Sequence, residues 1–152
     1  MRYIRASIIM KQIYKPGDTK HFSRLVTEAD TAAFEGNTVH PVYATFALAR
    51  DAEWCSRLFV LDMKEPHEEG IGTYVNLQHR SPALVGSYVM FEAVLEELNE
   101  TTVNCSIVAR VGSRVIATGS TGQRVLPKKV IEQIFQKADH AEIGRASCRE
   151  RV

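Results

Sequence analysis

Two ionisable side chains interrupt apolar patterns in this chain, and their types suit acid–base chemistry. Glu53 falls among small residues that recur with helical spacing, and His79 ends a run in which apolar and polar residues alternate. A carboxylate and an imidazole that face each other where water is excluded form a general acid–base pair. The alternative is a structural pair, in which the two side chains hydrogen-bond to each other and close the core.

Thr45 lies on the same helical face as Glu53, eight positions earlier. At 1.5 Å per residue the two are about 12 Å apart along the helix axis, so their side chains do not touch. We expect a substrate or water molecule between them, with His79 at its side. Thr45 also falls in the first helical turn, where free backbone N–H groups favour developing negative charge. Plain packing of a β-branched residue at a helix start is the alternative interpretation.

One long helix over Val42–Leu61 carries both Thr45 and Glu53. Pro41 suits its first turn, because a proline there loses no hydrogen bond. The face that holds Thr45 and Glu53 consists mostly of small residues, so we expect it to pack closely against other structure. The opposite face holds Ala47, Asp51, Trp54 and Leu58.

After an acidic loop the period of the pattern changes to two. A strand over Ile71–Arg80 places His79 on the same face as Val75 and Leu77, and places Gly72 on the other face. Short linkers that suit hairpins separate three more strands, over Ser87–Leu98, Thr101–Val111 and Arg114–Leu126. We also predict a first strand over His21–Thr27, a short helix and loop over Ala32–His40, and a terminal amphipathic helix over Lys128–Asp139.

These elements predict an α+β fold of the hot-dog type, an antiparallel β-sheet wrapped around one long central helix. The sheet leaves an edge strand that dimerisation would pair. The 152 residues suit one domain, and 45% apolar with 24% charged residues is typical of a globular protein. No apolar run approaches the ~18–20 residues of a membrane span.

Charge and cysteine usage exclude further classes of protein. The formal net charge of +1 gives no electrostatic case for a nucleic acid or a membrane as partner. Three cysteines without disulfide or zinc spacing indicate a reducing compartment, the cytoplasm. Five histidines without ligand spacing indicate that no metal and no other cofactor is needed.

Both ends of the chain differ from the rest. The last eleven residues resemble a translated sequencing-adapter oligonucleotide, so we expect 142–152 to be an artefact. Met10 opens a sequence that resembles a natural start, and we expect 1–9 to be mistranslated upstream sequence. The single domain is therefore predicted to cover 10–141.

Several short segments, taken together, resemble one known family. They are Tyr43-Ala-Thr45, Glu53-Trp54, Gly70–His79, Ser81–Gly86 and Thr121–Arg124. In these segments and their spacing the chain resembles the fluoroacetyl-CoA thioesterase-like family of hot-dog proteins, over roughly Lys11–Pro127.

The resemblance implies an enzyme that hydrolyses an acyl-CoA thioester to an acid and CoA, as a homodimer and without a cofactor. The family's catalytic threonine, glutamate and histidine correspond to Thr45, Glu53 and His79, and a glycine beside the acyl group corresponds to Gly72. In these roles His79 acts as general base or acid, Glu53 orients it or attacks the carbonyl, and Thr45 stabilises the oxyanion. Gly36-Asn37-Thr38 stands about where the family's aromatic lid falls, so we expect a general short or medium acyl-CoA substrate rather than fluoroacetyl-CoA.

Two other interpretations stay open. The segment Phe34–Pro41 is similar to the Asp-x-Asn-x-x-His-x-Asp signature of hot-dog enoyl-CoA hydratases, with Asn37 and His40 at the inner positions but Glu35 and Val42 in place of the aspartates. We expect Asn37 and His40 to line the substrate pocket or to shape the loop before the helix. The third interpretation is an acyl-CoA-binding module without catalysis. We expect the remaining cations near these motifs to be scattered surface charges rather than contacts to CoA phosphates: Arg80, Arg124, Lys128 and Lys129.

Overall fold

The computed structural model describes residues 10–149, with side chains described as far as Glu142. The predicted upstream segment 1–9 and the final part of the predicted artefact, 150–152, lie outside the described residues. The elements in chain order are β1 (Thr19–Leu25), a 3₁₀ turn (Glu28–Asp30), β2 (Thr31–Phe34), β3 (Asn37–Tyr43), α1 (Thr45–Met63), β4 (Glu68–His79), β5 (Tyr88–Leu98), β6 (Thr102–Val111), β7 (Arg114–Pro127) and α2 (Lys128–Arg149).

Five strands form one antiparallel sheet in the order β1-β5-β6-β7-β4, and β2 and β3 form a separate hairpin. Buried and more exposed residues alternate along β5 and β6, as expected for strands with one face on a core. α1 packs across that face and contacts all five strands. The largest fully buried side chains between them include Phe59, Phe91, Leu95 and Ile107. The predicted α+β arrangement of an antiparallel sheet on one long helix is confirmed.

The long helix is confirmed, but it begins at Thr45. Pro41 and Val42, which we predicted in its first turn, complete strand β3 instead. The helix N-cap is Ala44, which offers no capping side chain, and its backbone N–H donates to the Asp30 carbonyl at 2.8 Å. The helix start is therefore held by a backbone contact to the preceding 3₁₀ turn rather than by a capping side chain.

The segment predicted as a short helix and loop, Ala32–His40, is instead the β2–β3 hairpin. Glu35 and Gly36 connect the strands with φ angles of +50° and +80°. Positive φ at both central residues is the type I′ geometry, whose twist matches that of the flanking strands. Thr38 and Val39 are β-branched and favour the extended chain. The prediction was wrong because the two-residue turn signal was not recognised.

A buried carboxylate, Asp51, fixes α1 against the rest of the chain. Asp51 is 1% exposed. Arg24 and Arg50 each donate two hydrogen bonds of 2.9 and 3.0 Å to it, and the Tyr43 hydroxyl donates another. Arg50 also donates to Asp30 at 2.9 Å, which ties the helix to the turn before the hairpin.

This cluster corrects the predicted faces of the helix. We placed Asp51 on the face opposite Glu53, and the structure makes Asp51 the buried carboxylate and leaves Glu53 half-buried. Burial raises the pKa of the Asp51 carboxyl, but hydrogen bonds from Arg50, Arg24 and Tyr43 outweigh it and hold that pKa below its ordinary value. Burial in turn raises the pKa of the Tyr43 hydroxyl.

The edge strand β4 pairs only with β7 within the described chain, and it lies at the opposite end of the sheet from β1. Tyr74 and Val75 on this strand are 44% and 40% exposed. Beyond the sheet, α2 continues past the predicted end at Asp139 to Arg149, and its residue Ile131 is buried. Neither described helix combines the length and the apolar content needed to cross a bilayer.

Candidate active site

Thr45 and His79 meet where α1 begins and β4 ends. The Thr45 hydroxyl oxygen and His79 Nδ1 are 3.2 Å apart, within hydrogen-bond distance. Thr45 is the first residue of α1, and the first backbone N–H groups of a helix have no partner inside the helix. A hydroxyl, an imidazole nitrogen and free N–H groups are therefore close together at this end of the helix.

The other ring nitrogen of His79 has an unusual environment. Nε2 is shielded from solvent and has no hydrogen-bond partner among the described residues. An unpaired polar atom in such a position costs free energy, which a partner supplied by a ligand or a second chain would recover. Only one of the two ring nitrogens of His79 therefore has a hydrogen-bond partner within the described chain.

Glu53 lies against the backbone of β4 at Gly72. A Cβ atom added at Gly72 would be 2.5 Å from Glu53 Oε1. Any side chain at this position would thus displace the carboxylate. Glycine at this position lets the Glu53 carboxylate lie against the strand, a role that the sequence alone did not reveal.

A β-bulge places Gly72 on the same side of the sheet as His79. The two residues are seven positions apart, so strict alternation would put them on opposite faces, as we predicted. The register of β4 against β7 shifts between Gly72 and Tyr74, which leaves Thr73 as an extra residue. Gly72 contacts Glu53 and His79 contacts Thr45, so both strand residues face α1. The predicted face of Gly72 was wrong, because the alternating pattern gave no sign of the bulge.

One chain does not bring Glu53 and His79 together. Glu53 lies in a cleft of about 250 Å³ with Gly72 and the three residues that follow it. His79 lies in another cleft, of about 260 Å³, with Arg80, Ser81 and Pro82. The Glu53 cleft and the Thr45–His79 contact lie about 12 Å apart along α1. The structure of one chain therefore contains two half-sites.

A buried polar cluster contacts the backbone of Glu53 between α1 and β7. The Ser56 hydroxyl donates to the Glu53 carbonyl at 2.9 Å and accepts a hydrogen bond of 2.8 Å from the Thr121 hydroxyl. Gln123 donates to Ser56 at 3.5 Å. Sequence reasoning assigned these residues no role, although their polar types on a packed helix and strand were the available signal.

Asn37 and His40 lie on β3 of the hairpin, and both are exposed. Neither forms a hydrogen bond with Thr45, Glu53 or His79 within the described chain. The hairpin reaches the start of α1 through Phe34 and Phe46, whose rings are 6.4 Å apart. The structure thus brings the hairpin, but not these two polar side chains, to the helix start.

Two other features do not add to the site. A cleft of about 530 Å³ between β1 and α1 is lined by Arg24, Arg50 and Trp54, but both arginines are paired with Asp51. Among the described residues, no three His, Cys, Asp or Glu side chains are grouped so that they could hold a metal ion.

Known proteins resemble this chain in sequence and structure. The family model of FlK, the fluoroacetyl-CoA-specific thioesterase, matches residues 26–129. A hypothetical protein of Thermus thermophilus, described as a thioesterase superfamily member, shares 32% identity and a TM-score of 0.79 over 86% of this chain and 96% of its own. A point mutant of FlK shares 21% identity and a TM-score of 0.75, over 84% of this chain and 99% of its own. A hot-dog-like protein from Thermanaerovibrio acidaminovorans shares 16% identity and a TM-score of 0.74, over 82% of this chain and 93% of its own. No curated protein sequence matches the chain.

These matches confirm the predicted hot-dog fold, and the architecture is that of the thioesterase superfamily. The matched region covers most of the chain, including α1 and β4, which carry the two half-sites. The chain belongs to the FlK family of thioester hydrolases, as the resemblance in sequence indicated.

Proposed function

We propose that the protein is an acyl-CoA thioesterase that hydrolyses short or medium acyl-CoA thioesters to a free acid and CoA. Thr45, Glu53 and His79 are its catalytic residues. The observation that carries this proposal is the contact between the Thr45 hydroxyl and the His79 imidazole at the N-terminus of α1. Acyl transfer requires a proton acceptor and N–H or O–H donors aimed at one carbonyl, and this is the group of atoms found there.

A homodimer completes the site. Within residues 10–149 one edge of β4 has no partner strand, and such an edge favours pairing with a second strand. Antiparallel pairing of two β4 strands centred on Asn76 places Val75 opposite the partner's Leu77 and, because the bulge adds Thr73 as an extra residue, places Gly72 opposite the partner's His79. The bulge at Thr73 keeps both of these residues on the helix side of the sheet. Glu53, which lies on Gly72, then approaches the partner's half-site and lies near the unpaired Nε2 of its histidine.

Each catalytic group has one task in hydrolysis. The Thr45 hydroxyl and a free N–H of the first helical turn hold the carbonyl oxygen as it gains negative charge. His79 takes and returns the proton that passes between water and the leaving thiolate. Glu53 either attacks the carbonyl carbon to form an anhydride that water then cleaves, or positions the attacking water. After a single turnover in ¹⁸O-water, label in the Glu53 carboxylate would show the first route, with water attacking the glutamyl carbonyl of the anhydride.

Apolar surface beside Thr45 supports an aliphatic acyl group. Phe34 and Phe46 are 62% and 55% exposed and pack edge to face next to the helix start. Asn37 and His40, exposed on the same hairpin without a hydrogen bond to Thr45, are assigned to the outer entrance of the acyl pocket, and the partner's Gly72 lies beside the acyl group. The free, buried thiols of Cys55 and Cys105 suit a reducing compartment, which favours the cytoplasm as the site of action.

Thiol release from acyl-CoA tests the proposal. Wild-type protein is screened across acyl chain lengths with a thiol-detecting dye, and Glu53→Ala and His79→Ala are compared on the best substrate. We expect each variant to lose at least about 10³-fold in kcat with an unchanged Tm. His21→Ala is the matched control, because His21 pairs with the surface residue Glu92 on β5. Turnover within about threefold of wild type in both site variants would remove the assigned roles.

The same assay separates the other interpretations. A hydratase changes the absorbance of an enoyl-CoA and releases no thiol. A binding module does neither, yet its Tm rises with acyl-CoA. Either result from wild-type protein would replace the proposed function.

A further inference from the structure

We infer that Arg80 and Arg114 bind the phosphate groups of the CoA nucleotide, an inference that rests on the proposed function. Arg80 lines the His79 cleft together with Ser81 and Pro82. Arg114 Nη1 donates to the Ser81 hydroxyl at 2.8 Å and to the Pro82 carbonyl at 2.6 Å. One guanidinium group therefore lines the cleft that holds the catalytic imidazole, and a second contacts two of the residues that line it.

The charges of these two arginines are not neutralised by carboxylates. Arg80 donates to the Thr118 hydroxyl at 2.8 Å and to the Gln78 amide oxygen at 3.1 Å, and the partners of Arg114 are neutral too. Within residues 10–142 neither arginine forms a salt bridge. The other arginines on α1 and β1 differ, because each pairs with an aspartate or glutamate: Arg24, Arg50 and Arg57.

Both side chains keep donors free for an anion. A guanidinium carries five N–H donors, and its Nε and Nη2 groups together match two oxygens of a phosphate. Arg114 uses only Nη1 for its two protein contacts, so that bidentate edge is free. Arg80 uses Nε and Nη2, which leaves both donors of its Nη1. The protein contacts hold the cations in place without consuming their capacity to bind an anion.

The position of Arg80 relative to the His79 imidazole suits a long ligand. His79 faces α1. Arg80 donates to Thr118, which pairs in register with Gln78 on the face of the sheet that points away from α1. A ligand that contacts both must pass around the end of β4. CoA has this form, because its pantetheine arm separates the thioester from the nucleotide phosphates.

The structure separates Arg80 from the other cations that we expected to be scattered. Arg124 pairs in register with Ile71 at the far end of β4, and Lys128 lies in a groove with Glu69 and Glu132. Among the described residues of one chain, Arg80 alone of this group lines the His79 cleft. Arg114 was not singled out from the sequence, since its closeness to Ser81 and Pro82 depends on the tertiary fold.

Equilibrium binding tests the inference without requiring turnover. Calorimetry measures the Kd values of CoA, dephospho-CoA and pantetheine for the full chain and for Arg80→Gln, Arg114→Gln and the double variant. We expect the Kd of CoA to rise about tenfold for each single variant and further for the double variant, with a smaller effect on pantetheine. The dephospho-CoA values show whether the 3′-phosphate or the pyrophosphate is held. Lys15→Gln, an exposed cation before β1, is the control.

Hydrolysis gives a second readout. The ratio of kcat/KM for acyl-CoA to that for the acyl-pantetheine thioester should fall in the double variant by the same factor as CoA affinity. Added salt should raise the KM of wild type for acyl-CoA more than that of the double variant. The inference is overturned by a change below about twofold in CoA affinity, or by an equal loss in Lys15→Gln. Failure of the proposed function looks different: CoA binds and depends on the arginines, but no thiol is released.

Discussion

The substitution Gly72→Ala should abolish most activity while leaving the fold intact. The new Cβ would be 2.5 Å from Glu53 Oε1, and ordinary contact requires roughly 1 Å more. The neighbouring atom is the tip of a flexible, half-buried side chain, so the carboxylate moves and the strand does not. A displacement of about 1 Å at a reacting group costs on the order of 10²-fold in rate. We therefore expect kcat to fall by about this factor.

The stability of the same variant should change little. Replacing glycine by alanine within a strand gains about 0.5–1 kcal/mol of backbone entropy. Moving the Glu53 side chain off its preferred rotamer costs about 0.5–1.5 kcal/mol. The two nearly cancel, so the Tm should stay within a few degrees of wild type.

Gly70→Ala is the matched control on the same strand. A Cβ at Gly70 would meet Val60 Cγ1 at 2.7 Å, in the packed core rather than at Glu53. That variant should lose about 1–3 kcal/mol of stability and keep most of its kcat. Thiol release and thermal unfolding of both variants check the pair. If Gly72→Ala keeps kcat within about threefold of wild type, or loses stability as Gly70→Ala does, the assigned contact with Glu53 does not matter for catalysis.

Two further predictions concern the buried charge and the helix start. Asp51→Asn leaves Arg24 and Arg50 without their carboxylate and should lower the unfolding free energy by about 3 kcal/mol, measured by urea unfolding. The pKa of Asp51 is lower in the folded than in the unfolded chain. The stabilisation from its ionised carboxylate is therefore fully present above pH 3.8 and is lost as the pH falls through the folded pKa. Acid should accordingly lower the unfolding free energy of wild type more steeply than that of Asp51→Asn. Thr45→Ala should lower kcat about tenfold, which is less than the loss in His79→Ala, because a backbone N–H donor remains. Thr45→Ser should restore kcat. Equal activity of the Ala and Ser variants would contradict a role for the hydroxyl.

The elements in which apolar residues recur with a regular spacing were predictable from the sequence. Alternation placed β5, β6 and β7 close to their observed bounds, and the long helix followed from its apolar content. The hairpin at Glu35 and Gly36 was missed, because its turn depends on positive φ angles that no hydrophobic pattern reports. Burial of Asp51 was missed because its partners Arg24 and Arg50 come together only in the fold.

The candidate site was predictable in its residue types but not in its layout. Thr45 and His79 do meet, whereas the placement of Gly72 depends on the bulge at Thr73, which strict alternation cannot anticipate. The separation of Glu53 from His79 within one chain was also not visible in the sequence. It arises because His79 at the end of β4 lies against Thr45 at the start of α1, whereas Glu53 lies about two turns further along that helix. This separation is what makes a second copy necessary for the proposed chemistry.

Mixing two inactive variants measures this dependence on a second copy directly. Glu53→Ala and His79→Ala are unfolded together, refolded at equal concentration and assayed for thiol release. If each site takes Glu53 from one chain and His79 from its partner, half of the dimers are mixed and each has one intact site, so activity returns to about 25% of wild type. If the mixture remains as inactive as either variant alone, Glu53 and His79 do not act across a dimer interface, and the proposed site is wrong.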